Sequence, residues 1–368
     1  MLERFHVPHN DEVRVADTAL CRTVTDIFVA CGVPVETAAG GADVLVTADL
    51  RGVETHGVSN MLRSYVSWFR DGTLKPDPHA TVVHEAPGTA TIDGDRGLGV
   101  LQGRAAMQLA IDKAKETGVG VVTMRNSGHL GPVGHFATQA ARQDMVGVCL
   151  TAMSVLVVPT FGALPRLGTN PISFAAPTGS EPYLLYDAAT STIAGNKISL
   201  ARRVGATMAP GWIADADGSP VLEERRLEPG DHYAGSSFSL LPLGSTRDQG
   251  SHKGYGLGLM VEVLTTMLAG TVPTMVEDDR PLARHHFAAY NIAAFGDVGT
   301  FKGSMDRMLA LLRSTPPAPG HDRVVYPGLP EHETELDRRA NGIPLHREVI
   351  DWFDRCTDEL GVARLETL

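Results

Sequence analysis

The sequence predicts an α/β (α+β) fold, with a β-rich central segment between mainly helical ends. Three observations carry this. Apolar residues recur at helical spacing near both termini. Short apolar runs cut by Gly, Pro and Asn fill residues 119–177. No Gly-x-Gly-x-x-Gly follows a strand, so a standard Rossmann sheet is not expected. Residues 1–115 and 305–368 are assigned to the helical part, and 116–304 to the β-rich part.

Taken in order, Asp11 to Val53 reads as helical. Val15, Ala19, Val24, Ile27 and Phe28 set the first apolar face, and Gly32-Val33-Pro34 breaks it. A second helix runs from Val35 to Ala48. A third follows Gly57, carries Met61, Leu62, Tyr65, Val66 and Phe69 on one face, and ends near Gly72. Thr81 to Asp93 reads as short strands turning at Pro87-Gly88. Leu101 to Thr117 is an amphipathic helix. Four strands are then expected, at Val119–Met124, Val146–Leu150, Val155–Pro159 and Ile172–Ala176, with one helix at Gly134–Gln143. Gly254 to Leu268 is an apolar helix and Phe287 to Phe295 a strand. A proline-rich connection at residues 315–320 precedes a charged helix over Arg347–Leu360. Helical character at both ends places the C-terminus beside the N-terminal helices.

Composition narrows the function. The chain has 368 residues, 43% of them hydrophobic and 20% charged, which suits a globular protein with a sizeable core. A net charge of -11 argues against nucleic acid or an anionic membrane as partner. An anionic substrate must then meet local positive charge inside a pocket. Cys21, Cys31, Cys149 and Cys356 form no CxxC pair, which suits a reducing cytoplasm. The first fifteen residues lack an apolar core, so no signal peptide is expected. The longest apolar stretch, Met145 to Val158, is too short to span a bilayer.

Two histidines stand out. His129 lies in Asn126-Ser127-Gly128-His129-Leu130-Gly131-Pro132, a glycine-flanked loop after a β-branched run. His56 lies in Leu50-Arg51-Gly52-Val53-Glu54-Thr55-His56-Gly57. A loop held by a scaffold keeps a side chain accessible, and a histidine there can pass a proton near neutral pH. Either residue alone is more often a packed or solvated side chain. His252-Lys253-Gly254-Tyr255-Gly256 opens an apolar helix, where backbone N–H groups favour an anion. The same glycines also suit a tight turn that only packs. Gly168-Thr169-Asn170-Pro171 and Asp187-Ala188-Ala189-Thr190-Ser191 are polar loops after apolar runs, and Asp187 either caps a helix or binds a hydroxyl. His129 and His135 are six apart and His285-His286 adjacent, so neither pair has the spacing of a helical metal site. No Gly-x-Ser-x-Gly or Walker A motif occurs.

These motifs, with Tyr326-Pro327-Gly328, occur in one order at compatible separations over nearly the whole chain. In this the chain resembles the malate/L-lactate dehydrogenase-like oxidoreductases. That family also includes ureidoglycolate, sulfolactate and diketogulonate enzymes and cyclic imino-acid reductases. The resemblance implies a non-Rossmann dinucleotide-binding fold. It also implies a homodimer with the active site near the subunit contact. The implied activity is hydride transfer between NAD or NADP and C2 of a 2-hydroxy or 2-oxo acid, with reduction of a cyclic imino acid as the alternative. His129, then His56 with Thr55, are the implied proton-transfer residues. Asp187, Ala188, Ala189, Lys253, Gly254, Gly328 and Pro330 are the implied dinucleotide contacts. Thr169 and Asn170 are assigned to the substrate. Two positions depart from the family pattern. Thr55 replaces the usual serine, and Asn60 stands where many members have an arginine that grips a carboxylate. Arg63, nearly one turn on, is expected to take that role. The rival from another class is a non-catalytic binding or structural homologue, and the rival within enzymes is a hydro-lyase or isomerase using the two histidines without nicotinamide.

Overall fold

A computed structural model describes residues 3–228, 238–276 and 282–368. The chain opens with strand β1 (Glu12–Val15), then helices α1 (Asp17–Ala30), α2 (Val35–Leu50) and α3 (Val58–Arg70). Next come β2 (Thr81–Ala86), β3 (Thr89–Gly97), α4 (Gly99–Thr117), β4 (Val119–Ser127), α5 (Val133–Ala141) and β5 (Met145–Ala152). Strands β6 (Ile172–Ala176) and β7 (Leu184–Ala188) lead to helix α6 (Asn196–Val204). Four short strands follow: β8 (Thr207–Met208), β9 (Ile213–Asp215), β10 (Arg225–Arg226) and β11 (Phe238–Leu240). Helix α7 (Ser251–Glu262) runs into a π-helical turn at Val263–Met267, before β12 (Ala283–Asn291) and α8 (Val298–Ser314). The chain closes with α9 (Leu329–Asn341), β13 (Ile343–His346) and α10 (Arg347–Leu360).

The main sheet has seven strands in the order β2-β3-β4-β12-β5-β6-β7. Only β3 and β4 run parallel; every other neighbouring pair is antiparallel. This mixed order is not that of a doubly wound Rossmann sheet. Strand β12 arrives late in the chain yet sits centrally, between β4 and β5. Its middle, His285 to Ala289, is buried, as expected of a strand covered on both faces.

The large core joins both chain ends to the sheet. Leu20, Phe28, Leu45 and Tyr65 from the N-terminal helices pack with Ile111, Phe136 and Phe287, and with Val349 and Phe353 of α10. A smaller core gathers Phe5, Val157, Ile198, Met208 and Phe238 around α6 and the short strands.

The expected elements largely appear, with four differences. Residues Glu12–Val15 are a strand rather than the start of a helix, because they pair antiparallel with Ile343–His346. Val155–Pro159 forms only isolated bridges, from Val157 to Leu167 and Leu240. Both Leu156 and Val157 N–H groups turn to the Leu167 carbonyl, which leaves no ladder to extend. The strand expected at Phe287–Phe295 begins and ends four residues earlier. The Asn291 side chain accepts from Ala293 N–H and turns the chain there. Helices α8 and α9 and strand β7 are additions the sequence reading lacked.

Candidate active site

A cavity of ≈ 540 Å³ is walled by residues that pack on both cores. Its lining includes Thr55 and His56 from the α2–α3 connection and Gly131 to Gly134 at the start of α5. Asp187, Ala188 and Ala189 at the end of β7, Thr169, Lys197 of α6, and Gly328 complete the parts relevant here.

The His56 loop is built from beneath. Asp49, fully buried at the end of α2, accepts a 2.7 Å hydrogen bond from Val58 N–H and so caps α3. A Cβ at Gly57 would lie 2.1 Å from Asp49 Oδ1, so only glycine fits there. Glu54 is buried in a 2.6 Å ion pair with Arg338 of α9, itself buried. Asn196 Nδ2 donates to the Thr55 carbonyl at 2.9 Å, tying α6 to the loop. Thr55 Oγ1 stands 2.9 Å from His56 Nδ1 and orients that ring.

His129 follows the end of β4, as the sequence indicates. Its ring stacks on His56, with centroids 5.6 Å apart and planes within 12°. Gly131 N–H donates to His129 Nδ1 at 3.1 Å, and the Tyr65 hydroxyl sits 2.7 Å from the same nitrogen. A backbone N–H can only donate, so Nδ1 must keep its lone pair. The neutral ring then carries its proton on Nε2. Burial pushes His129 down to about 3, helped by the charges of His56 and His285, and burial alone takes His56 to about 4. Both rings are neutral at pH 7.

The loop's support comes from a residue far along the chain. His285, fully buried on β12, has Nδ1 2.8 Å from the Thr151 hydroxyl and Nε2 3.1 Å from the Gly128 carbonyl. The carbonyl needs a donor, so Nε2 carries the proton and pins the peptide next to His129. The sequence reading weighed His285 only as a metal ligand. Among the described residues, no group of three His, Cys, Asp or Glu is arranged to hold a metal ion.

Asp187 sits on β7 and caps a different helix: its Oδ2 accepts from Gly134 N–H of α5 at 2.7 Å. The surface it exposes is cavity wall. Desolvation there pushes its carboxyl up to about 6, against the lowering contact from Gly134. Gly328 takes φ +98° at the start of α9, where a Cβ would lie 2.9 Å from Leu185 N. Its carbonyl accepts from Arg51, which is buried and ion-paired to Glu335 at 3.0 Å.

These features suit a dinucleotide. A helix start, a carboxylate able to accept hydroxyl hydrogen bonds, the cations Lys197 and Arg142, and glycine-permitted close backbone share one cavity. Among the described residues Lys197 has no carboxylate partner; it lies over the Phe5 and Trp212 rings, 4.8 and 5.7 Å from their centroids.

Several expected residues lie elsewhere. Asn170 is buried against α7, donating to the Gly258 carbonyl and Glu262. Gly254 packs on Leu243, where a Cβ would lie 2.4 Å from its backbone N and O, and Lys253 is exposed beside it. Pro330 is outside the cavity lining, in the first turn of α9. Arg63 does not reach back toward Asn60. It pairs with Glu348 at 3.5 Å and lies over Trp352. Asn60 is reached instead by Arg203, and both Asn60 and Arg63 line a separate groove. The sequence reading passed over Arg51, although it stands in the His56 motif. It also missed Lys197, which carries no local signature.

Comparison with known proteins fits this geometry. The family model described as malate/L-lactate dehydrogenase matches residues 15–353. A malate dehydrogenase of Pyrococcus abyssi is 36% identical over 100% of both chains. An L-sulfolactate dehydrogenase of Methanocaldococcus jannaschii is 34% identical, covering 93% of this chain and 95% of its own. The solved malate dehydrogenase of Pyrococcus horikoshii superposes with a TM-score of 0.87 at 35% identity, covering 98% of this chain and 99% of that one. The chain belongs to the malate/L-lactate dehydrogenase family and is an NAD(P)-dependent oxidoreductase acting on a 2-hydroxy acid.

Proposed function

We propose that His56 exchanges the substrate proton in this reaction, while His129 holds the reacting oxygen through a neutral Nε2–H. The bound nicotinamide supplies or takes up the hydride. The carrying observation is the Gly131 N–H bond to His129 Nδ1, which fixes a neutral donor and leaves proton exchange to its stacked neighbour. This reverses the ranking suggested by the sequence. His56 lines the cavity and its other contact is a rotatable hydroxyl. A substrate carboxylate beside it favours the charged ring and raises its pKa toward the working range. Lys197, left without a carboxylate of its own, supplies the charge that the anionic substrate needs. Arg63 has no such part. Malate or a similar dianion is the substrate we expect, with NAD or NADP as cofactor.

The test is a paired kinetic experiment with NADH and NADPH against the 2-oxo acids of malate, sulfolactate and lactate. His56→Ala should cut kcat by about 10²–10⁴. His129→Gln should cost less than His129→Ala, because an amide N–H can replace Nε2–H. If His129→Gln is as damaged as His129→Ala while His56→Ala stays within threefold of wild type, the roles are the other way round. The protein is also proposed to work as a cytoplasmic homodimer. The α7 face and its π-helical turn expose Leu259, Met260, Val263, Met267 and Leu268, a partner-seeking apolar stripe. Light scattering on the purified protein checks this.

A further inference from the structure

The groove that holds Asn60 and Arg63 has a volume of ≈ 560 Å³ and shares no lining residue with the histidine cavity. Among the described residues, Arg63, Arg202, Arg203 and Arg226 line it together with Glu228 and Glu348. On a chain of net charge -11, four arginines lining one concave site need a reason. Arg203 supplies the sharpest one. Its side chain is 9% exposed, with Nη1 donating to Asn60 Oδ1 at 3.2 Å and Nη2 to the Ser59 carbonyl at 2.9 Å. Its Nε is buried and has no hydrogen-bond partner among the described residues, with Glu348 Oε2 standing 3.9 Å away. A buried guanidinium N–H without an acceptor is costly. Burial pushes the Arg203 pKa down, as expected of a cation short of counter-charge. The Arg63–Glu348 pair is half exposed and long at 3.5 Å, so a better anion can displace it at small cost.

We propose that this groove is a second ligand site, for a small dianion carrying phosphoryl or carboxylate oxygens. The guanidinium forks of Arg63, Arg203 and Arg226 can hold either oxyanion in bidentate fashion. The site is joined to the reaction by short links. Ser59 and Asn60, which Arg203 holds, are in the first turn of α3, just after Thr55-His56. Asn60 Nδ2 also donates to the Glu54 carbonyl at 2.7 Å, and the Arg203 helix begins at Asn196, which donates to the Thr55 carbonyl. A ligand on Arg203 therefore acts on residues flanking His56 on both sides.

The experiment reads binding without turnover. Thermal melting of the dinucleotide-free protein is followed while inorganic phosphate, or separately succinate, is titrated at constant ionic strength. A saturable Tm rise of roughly 2 °C or more is expected with at least one of them, and which one identifies the ligand class. Lys197→Gln, in the histidine cavity, should keep the rise. Arg203→Gln and Arg226→Gln should lose it. Arg226 is exposed on β10, so its variant decides the matter even where Arg203→Gln does not fold. The proposal is overturned by no saturable rise with either anion, by a rise that survives Arg226→Gln, or by a rise abolished in Lys197→Gln.

Discussion

Asp49 shows how one buried side chain can set the pH range of the protein. Burial pushes its carboxyl up to about 8, with nearby Glu54 adding to the effect and the Val58 N–H and Arg338 opposing it. An unfolded aspartate titrates near 4. Between about 4 and 8 the folded chain therefore holds a proton that the unfolded chain has released, and stability falls as pH rises through that window. Asp49→Asn keeps the cap on α3 and removes the titration. Melting curves from pH 5 to 9 should show wild type falling below the variant by about 5 °C or more at pH 9. Parallel curves would show that Asp49 does not titrate there. Tyr65 offers a second test, because its hydroxyl is 2.7 Å from His129 Nδ1. Tyr65→Phe leaves the Gly131 bond, so kcat should drop by a modest factor of about 2–10, the worth of one hydrogen bond. A loss as large as that of His56→Ala would give Tyr65 a part in proton transfer. At this scale the sequence was informative about chemistry and silent about partners. His56 and His129 could be found from glycine-flanked motifs, but His285 touches Gly128 from 157 residues away. Nothing local in His285-His286 tells which carbonyl it will hold. The arginine near Asn60 was sought on the same helix, where spacing rules apply, and came from α6 instead.

Elements, rather than residues, make the wall proposed to hold the dinucleotide. The start of α5 meets the end of β7 through a single bond from Gly134 N–H to Asp187 Oδ2. The N-terminus of a helix is where a ligand anion would otherwise bind, and Asp187 already occupies one of its donors. Its remaining acceptor capacity is left for hydroxyl donors. A Cβ at position 134 would lie 2.7 Å from Asp187 Oδ2. Gly134→Ala should force the carboxylate off the helix and raise the KM for the dinucleotide about tenfold, with kcat changed less. Equal loss in both constants would place Asp187 in the chemical step. Most helices and sheet strands were legible because their periodicity is strong. The failures were elements whose existence depends on a distant partner. Glu12–Val15 is a strand only because Ile343–His346 lies beside it, and Val155–Pro159 is not one because the Leu156 and Val157 N–H groups share a single carbonyl while Val158 N–H turns to Leu240.

At the scale of the molecule, the two chain ends act as one clamp. β1 and β13 pair over four residues, and Leu368 N–H donates to the Arg14 carbonyl at 2.9 Å. Helical character at both ends suggested this contact; the pairing that seals it was not visible in either segment alone. Helix α10 then inserts Phe353, fully buried, into the core that also holds the N-terminal helices and β12. That core lies behind the His56 loop, since α2 carries Asp49 and α9 carries Arg338 to Glu54. A cavity made at Phe353 should therefore loosen the whole molecule rather than one end of it. Phe353→Ala is expected to cost about 3–5 kcal/mol, and to lower Tm by several degrees. Phe161→Ala, at a side chain 88% exposed, is the control and should leave Tm unchanged within about a degree. If the ends are one clamp, the Phe353 variant will still melt in a single transition, and NADH or NADPH will recover part of the lost Tm by mass action. A separate early transition, with the active site intact until the second, would show instead that the C-terminal helix unfolds on its own.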